Sequence, residues 1–245
     1  METPELDVNL AEFVGVLLGD GSIGRYECRA GEKIKIQHRV KITGDATEDL
    51  PYFKECLSPL MTGLFGREPL LRFKRKERTV ELAFFGKGVY EFLINFGMAP
   101  SPKRNRAVIP PFIFENNLEA PFLRGLFDTD GCLVFDKQHK DVHYYPRIEI
   151  KMLPCPMRDQ LFDILSSLHF RYIVSPQPNE SLRIQMNGKK MINKWDTIVG
   201  FNNKKHISKY QLWQRFGYYT PNTTLEQRLD ILSGVEQSGV LVGRI

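Results

Sequence analysis

Hydrophobic and polar residues alternate almost without fault along residues 33–42, KIKIQHRVKI. Lys33, Lys35, Gln37, Arg39 and Lys41 fall on one face and Ile34, Ile36, His38, Val40 and Ile42 on the other. A period of two marks a half-buried strand, so the apolar side is expected to pack on helices. The alternation recurs over residues 147–152, where Arg147, Glu149 and Lys151 share a face backed by Ile148 and Ile150. Each alternating segment leads to a proline and a helical pattern (residues 51–65 and 154–168). Two short strands follow (70–74 with 80–84; 172–174 with 182–186), then a Gly-Lys pair (Gly86-Lys87; Gly188-Lys189) and another helix.

Ahead of each set stands an apolar helical stretch closed by Asp-Gly. FVGVLLGDG, residues 13–21, and LRGLFDTDG, residues 123–131, match in their glycines, terminal Asp-Gly and apolar positions at an offset of 110. Helix, two strands, helix, two strands, helix is therefore written twice, with a longer hairpin in the first copy. The fold class is α+β, two pseudo-symmetric αββαββα repeats. The expected divisions are residues 1–97 for the first repeat, 98–117 for a proline-rich connector, 118–201 for the second repeat and 202–245 for a C-terminal helical extension. Helical pattern in the extension covers residues 210–216 and 225–232, and its glycine-containing end is expected to be mobile.

Within the two Asp-Gly helices, Ala11, Gly15 and Gly19 recur every four residues, as do Pro121, Gly125 and Thr129. Positions four apart share a helix face, so each helix offers a stripe without bulk, and two such stripes allow unusually close backbones. Side by side and parallel, the pair would bring Asp20 and Asp130 together at its C-terminal end. An acid there is disfavoured by the helix dipole by about 0.3 to 1 kcal/mol. Seen once, it reads as an ordinary turn after a glycine-capped helix; seen twice in matched register, it reads as a site. Two carboxylates with the carbonyls of Gly19 and Thr129 make an all-oxygen pocket suited to a hard divalent cation such as Mg²⁺. Asp128 points elsewhere on its helix, faces Leu18 in the alignment, and reads as structural.

The charge balance, a formal +5 over 245 residues, tilts toward a polyanionic partner. The strands make that specific, because the polar face of residues 33–42 carries four cations, an amide and no acid. Arg72 and Lys74, then Arg183 and Gln185, extend the two faces, and the RKER turn at residues 75–78 adds more positive charge. A β-ribbon fits the DNA major groove, where arginine and lysine read guanine or phosphate and glutamine reads adenine. Cys28, Cys56, Cys132 and Cys155 are scattered without a Cys-x-x-Cys pair and read as reduced thiols. With no secretion signal and no membrane span, the sequence predicts a soluble, cytoplasmic protein with no membrane partner.

These motifs resemble those of the LAGLIDADG homing endonucleases in their single-chain, two-repeat form, with the second copy much like archaeal members. The resemblance implies a saddle of antiparallel sheets on double-stranded DNA, with the two motif helices at its centre. It implies that Asp20 and Asp130 bind divalent metal, two or three Mg²⁺ ions, and that each serves the cleavage of one strand across the minor groove. Ca²⁺ is expected to bind without supporting cleavage. Lys41, Arg72 and Lys151, by strand position, are the basic residues expected to assist at the phosphate. Gly44-Asp45 stands where other members often carry a glutamine after the first hairpin. Met1 and the final Gly-Arg-Ile differ from intein ends, so a free-standing, intron-encoded monomer is expected. Relatives acting as RNA maturases or transcription regulators leave intron RNA as a further partner and non-cleaving nucleic-acid binding as the alternative.

Three smaller features read as follows. His139 and His143 have a helical metal-ligand spacing but stand in a loop that enters a strand, so they read as surface residues. Trp195 and Trp213 lie in apolar helical patterns and read as core. The cluster NNKKHISK, residues 202–209, fits either a phosphate contact or a solvated helix start.

Overall fold

The structure is a computed structural model that describes residues 4–31, 33–74 and 77–234. Arg75 and Lys76 of the basic turn, and the tail expected to be mobile, lie outside the described residues.

In chain order the elements are α1 (Val8–Leu18), β1 (Gly21–Ala30), β2 (Lys33–Asp45), α2 (Leu50–Tyr52), α3 (Ser58–Phe65), β3 (Leu70–Lys74), β4 (Thr79–Phe85), α4 (Lys87–Asn95) and α5 (Phe112–Glu115). There follow α6 (Glu119–Asp130), β5 (Gly131–Asp136), β6 (Tyr145–Met152), α7 (Pro156–Ser167), β7 (Ile173–Pro176), β8 (Leu182–Asn187), α8 (Lys189–Ile198), α9 (Lys204–Phe216) and α10 (Leu225–Ser233). A π-helical turn, Phe53–Leu57, joins α2 to α3; Pro59 just beyond it has no N–H to return to the preceding turn. Two antiparallel sheets result, ordered β1-β2-β4-β3 and β5-β6-β8-β7, so both repeats have the same topology.

Local chemistry starts the first motif helix where it does. The Asp7 carboxylate caps α1 by accepting from the backbone N–H groups of Asn9 and Leu10, both at 2.9 Å, at the end of the helix where negative charge is favoured. From Leu10 to Leu18 every residue of α1 is buried, as a helix between a partner helix and its own sheet must be. The partner is α6. A Cβ on Gly15 would come inside 3.0 Å of the Phe122 carbonyl oxygen, and one on Gly125 inside 3.0 Å of that of Glu12. At the far end Gly19 abuts the Thr129 hydroxyl in the same way. The two helices are therefore parallel, backbone against backbone, with their C-terminal ends together. Glu12 and Arg124, near the middle of the two helices, join them with an ion pair of 2.6 Å. Trp195 and Trp213 are buried in the core.

Two expectations need correction. The apolar face of residues 33–42 does not pack on helices throughout: Ile34 and Ile36 are 64% and 47% exposed. β2 pairs with β1 along residues 33–42, but β4 joins it only from Arg39 onward, and α4 reaches it as far as Tyr90 against His38, ring centroids 4.6 Å apart. The hairpin outruns the layer behind it, so its tip is a free two-stranded ribbon. Nor is the polar face free of acid once the sheet assembles. β4 sets Glu81 beside Thr43 and Arg72 in register, and Glu81 pairs with Lys41 at 2.6 Å.

Candidate active site between the motif helices

α1 ends at Leu18, and Gly19 caps it with its N–H on the Gly15 carbonyl at 3.0 Å. Asp20 follows, anchored through its carbonyl, which accepts the Thr43 N–H at 3.2 Å. α6 runs further, so Asp130 is its last residue. The two carboxyls stand close enough, at the joined helix ends, for the ionisation of each to depend on the other. Burial, then the charge of Asp130, pushes Asp20 up to about 6. Asp130 is also raised, by burial, against the lowering influence of Lys103 and Lys205. Two acids this close cannot both ionise freely without a cation.

The cations come from outside the strands. Lys103, in the connector, donates to the carbonyls of Leu17 at 3.0 Å and Leu18 at 2.6 Å, and to that of Gly19. It thus supplies the cation that the last turn of α1 otherwise lacks. Lys205, in the first turn of α9, sits 2.9 Å from Asp49. Lys205 is the strongest cation acting on Asp20, and Lys103 the strongest on Asp130. Asn203 caps α9 and donates to the Asp128 carbonyl at 2.9 Å, which fixes the start of α9 against α6. The cluster at residues 202–209 is thus a helix start that carries a site lysine.

Neither lysine stood out in the strand pattern, yet a signal for both existed. They are 102 residues apart, the same offset that relates Gly86-Lys87 to Gly188-Lys189. Proline density concealed the first of them inside a connector.

The strand residues fall into two groups. Lys33, Lys35 and Gln37 are exposed on the free ribbon, and Arg39 lies over the Tyr26 ring, 4.7 Å from its centroid. Arg72, over Phe85 at 5.4 Å, and Lys151 are also exposed, as is Lys74, which nevertheless pairs with Glu77 at 3.2 Å and Glu81 at 3.8 Å. The others are engaged. Burial alone would raise Glu81, but Lys41, Lys74 and Arg39 override it and hold the carboxyl below its usual range. Arg147 pairs with Asp136 at 2.6 Å and with Glu149, while Gln185 donates to Glu149 at 2.7 Å. Arg183 donates to Gln177 at 3.1 Å. Of the basic residues expected to assist at the phosphate, Lys41 is committed to Glu81, while Arg72 and Lys151 face solvent.

No family model and no curated protein matches the sequence. Solved structures do match the fold. The LAGLIDADG homing endonuclease I-LtrWI, bound to target DNA, superposes with a TM-score of 0.61 at 10% identity over 87% of this chain and 90% of that one. The meganuclease I-SmaMI, bound to uncleavable DNA, gives 0.61 at 11% over 92% and 97%. I-DmoI, in complex with DNA and Mn, gives 0.51 at 17% over 80% and 98%; it is also known in complex with DNA and Ca. The chain has the LAGLIDADG fold.

In this LAGLIDADG frame the residues of the centre suit a hard divalent cation. Burial raises both carboxyls, the charge of Asp130 raises Asp20 further, and the helix-end carbonyls beside them already draw in the Lys103 ammonium. Among the described residues no group of three or more His, Cys, Asp and Glu side chains could hold a metal. The Thr129 hydroxyl turns its proton back to its own helix, toward the carbonyls of Gly125 at 3.1 Å and Leu126 at 3.0 Å. None of the LAGLIDADG helices described here is long and apolar enough to cross a membrane.

Proposed function

We propose that the protein is a monomeric endonuclease that hydrolyses both strands of a double-stranded DNA target with divalent metal, Mg²⁺ for preference. The observation that carries this reading is the pair of Asp20 and Asp130 at the adjoining C-terminal ends of α1 and α6, with Lys103 and Lys205 acting on both. The DNA, Mn and Ca with which the structural neighbours are complexed support it.

Asp20 and Asp130, with the carbonyls of Gly19 and Thr129, would hold the metal. When bound, it would polarise a phosphate oxygen and favour a nucleophile at neutral pH. Lys103 and Lys205 place positive charge where charge grows on the phosphate, in a walled site where it acts strongly. The exposed cations of the ribbons, Lys33, Lys35, Arg72, Lys74 and Lys151, would grip phosphates, while Gln37 and Arg183 read bases.

The test is a selection of cut sites from a random double-stranded DNA library with Mg²⁺, repeated with Ca²⁺. A recovered consensus site that is cut with Mg²⁺, bound but uncut with Ca²⁺, and bound but uncut by Asp20→Asn and Asp130→Asn is the expected result. Equal cutting by both variants and the parent chain would sink the assignment of the acids. A failure to cut any sequence would sink the endonuclease.

A further inference from the structure

Lys103 and Lys205 hold matching places about the pseudo-twofold axis, but their partners differ in charge. Lys205 reaches the start of α2, which follows the first repeat's hairpin, and the loop that carries Lys103 lies against the start of α7, which follows the second repeat's hairpin. Asp49 is the N-cap residue of α2, and Cys155 is the N-cap residue of α7. On one side, Lys205 lies 2.9 Å from the Asp49 carboxylate. Asp49 is itself buried and fixed, accepting from the Asn203 side chain and from the Asp45 N–H, both at 2.9 Å. On the other side, the loop carrying Lys103 is tied to the start of α7 by the Met157 N–H on the Ala107 carbonyl at 2.9 Å. The Gln160 side chain adds two bonds to the Ile109 backbone, at 2.8 and 3.1 Å. There the Lys103 ammonium rests on the neutral carbonyls of Leu17, Leu18 and Gly19, and Asp130, Asp20 and then the Cys155 thiol act on it from beyond hydrogen-bond distance.

Neutral carbonyls orient a lysine without cancelling its charge, whereas a carboxylate at hydrogen-bond distance cancels much of its field and must be released before the lysine can turn to another anion. We propose that Asp49 makes the two half-sites unequal: it is a positioning residue that holds Lys205 back, so that the strand served by Lys205 is cut second. This inference rests on the endonuclease reading above. Because both strands belong to one complex, the ratio of their cutting rates is insensitive to changes in folding or DNA affinity.

The experiment uses the full chain in excess over a recovered target with a different label on each strand. The parent chain should cut one strand on the order of tenfold faster and pass through a singly nicked intermediate. Asp49→Asn should bring the ratio toward one by speeding the slow strand. Cys155→Asp, which gives Lys103 the partner that Lys205 already has, should bring it toward one by slowing the fast strand. A second readout needs no cutting: limited acylation of the free protein, read by mass spectrometry, should rise at Lys205 in Asp49→Asn and stay unchanged at Lys103. Equal strand rates in the parent chain, or a ratio unmoved by both variants, would overturn the proposal while leaving the endonuclease standing. Absence of cutting by every chain would overturn both.

Discussion

Gly15 of α1 and Gly125 of α6 each lie against the backbone of the opposite helix. A Cβ on the first would come inside 3.0 Å of the Phe122 carbonyl oxygen and the Leu126 nitrogen, and one on the second inside 3.0 Å of the Glu12 carbonyl. A side chain in the way could swing aside; a helix backbone cannot without separating the pair. Gly125→Ala is therefore expected to destabilise the protein by about 3 kcal/mol, and Gly15→Ala by a similar amount, both read as a fall in urea midpoint. Because the same crossing holds Asp20 and Asp130 together, either variant should also weaken divalent-cation binding. A midpoint equal to that of the parent chain would mean that the helices do not touch as described.

That crossing was legible in the letters, because glycine at every fourth position leaves a trace that survives without knowledge of the partner. The repeated element order was legible for the same reason, since periodicity and Asp-Gly ends are local properties. The exposure of Ile34 and Ile36 was not: alternation records that a strand has two faces, but not whether a layer stands behind one of them, and β2 outruns its backing. Lys103 escaped because its role depends on where a proline-rich connector folds back, a long-range matter. Arg228 escaped for a related reason, as its partner lies 180 residues away.

Arg228, 1% exposed, latches the C-terminal extension to the first repeat. Its guanidinium pairs with Glu48 at 2.5 Å and donates to the Ser208 hydroxyl at 2.9 Å, while the Leu225 N–H donates to the same Glu48 carboxylate at 2.8 Å. Removing one partner leaves a buried charge alone, so Glu48→Ala should cost about 3 to 5 kcal/mol in chemical unfolding. Arg228→Met alone leaves no buried cation and should cost less. In the double variant Glu48→Ala with Arg228→Met, much of the loss should return. If the double variant instead loses the sum of the two single losses, the ion pair is not what holds the extension.

Asp128 carries a cost that the fold tolerates. It is 1% exposed; one carboxyl oxygen accepts the Asn202 N–H at 2.7 Å, and the other has no partner. Burial pushes it up to about 8, against the Asn202 and Asn203 backbone bonds and with help from Glu12. The folded chain thus keeps a proton that the unfolded chain loses near the model-peptide value of 3.8. The stabilising contribution is complete below that value and is lost as pH rises through about 8. Asp128→Asn keeps an acceptor for Asn202 and cannot ionise. It should match the parent chain at about pH 4 and exceed it by about 1 kcal/mol or more at about pH 8. Urea unfolding across that range reads the difference, and a gap that does not widen with pH would contradict the buried proton.

At the centre the sign of the pH effect is set by Asp20. Burial first, and the neighbouring Asp130 second, lift it to about 6, so below that pH one carboxyl of the pair keeps a proton that a metal must displace. Metal ligation by carboxylate requires the ionised form. Calorimetric titration with Ca²⁺ should therefore show affinity rising with pH and levelling once Asp20 has ionised, by about tenfold per pH unit at the steepest, one proton being displaced. Asp130→Asn removes the second of the two causes, so its own weaker binding curve should level off at lower pH. Lys103→Met acts oppositely: without that ammonium both carboxyls should hold their protons to higher pH. The levelling point should move up in that variant even if the maximal affinity improves, because the Gly19 carbonyl it occupied is then free. A binding curve flat across about pH 5 to 8, or one that moves the same way in both variants, would show that the acid pair does not bind the ion.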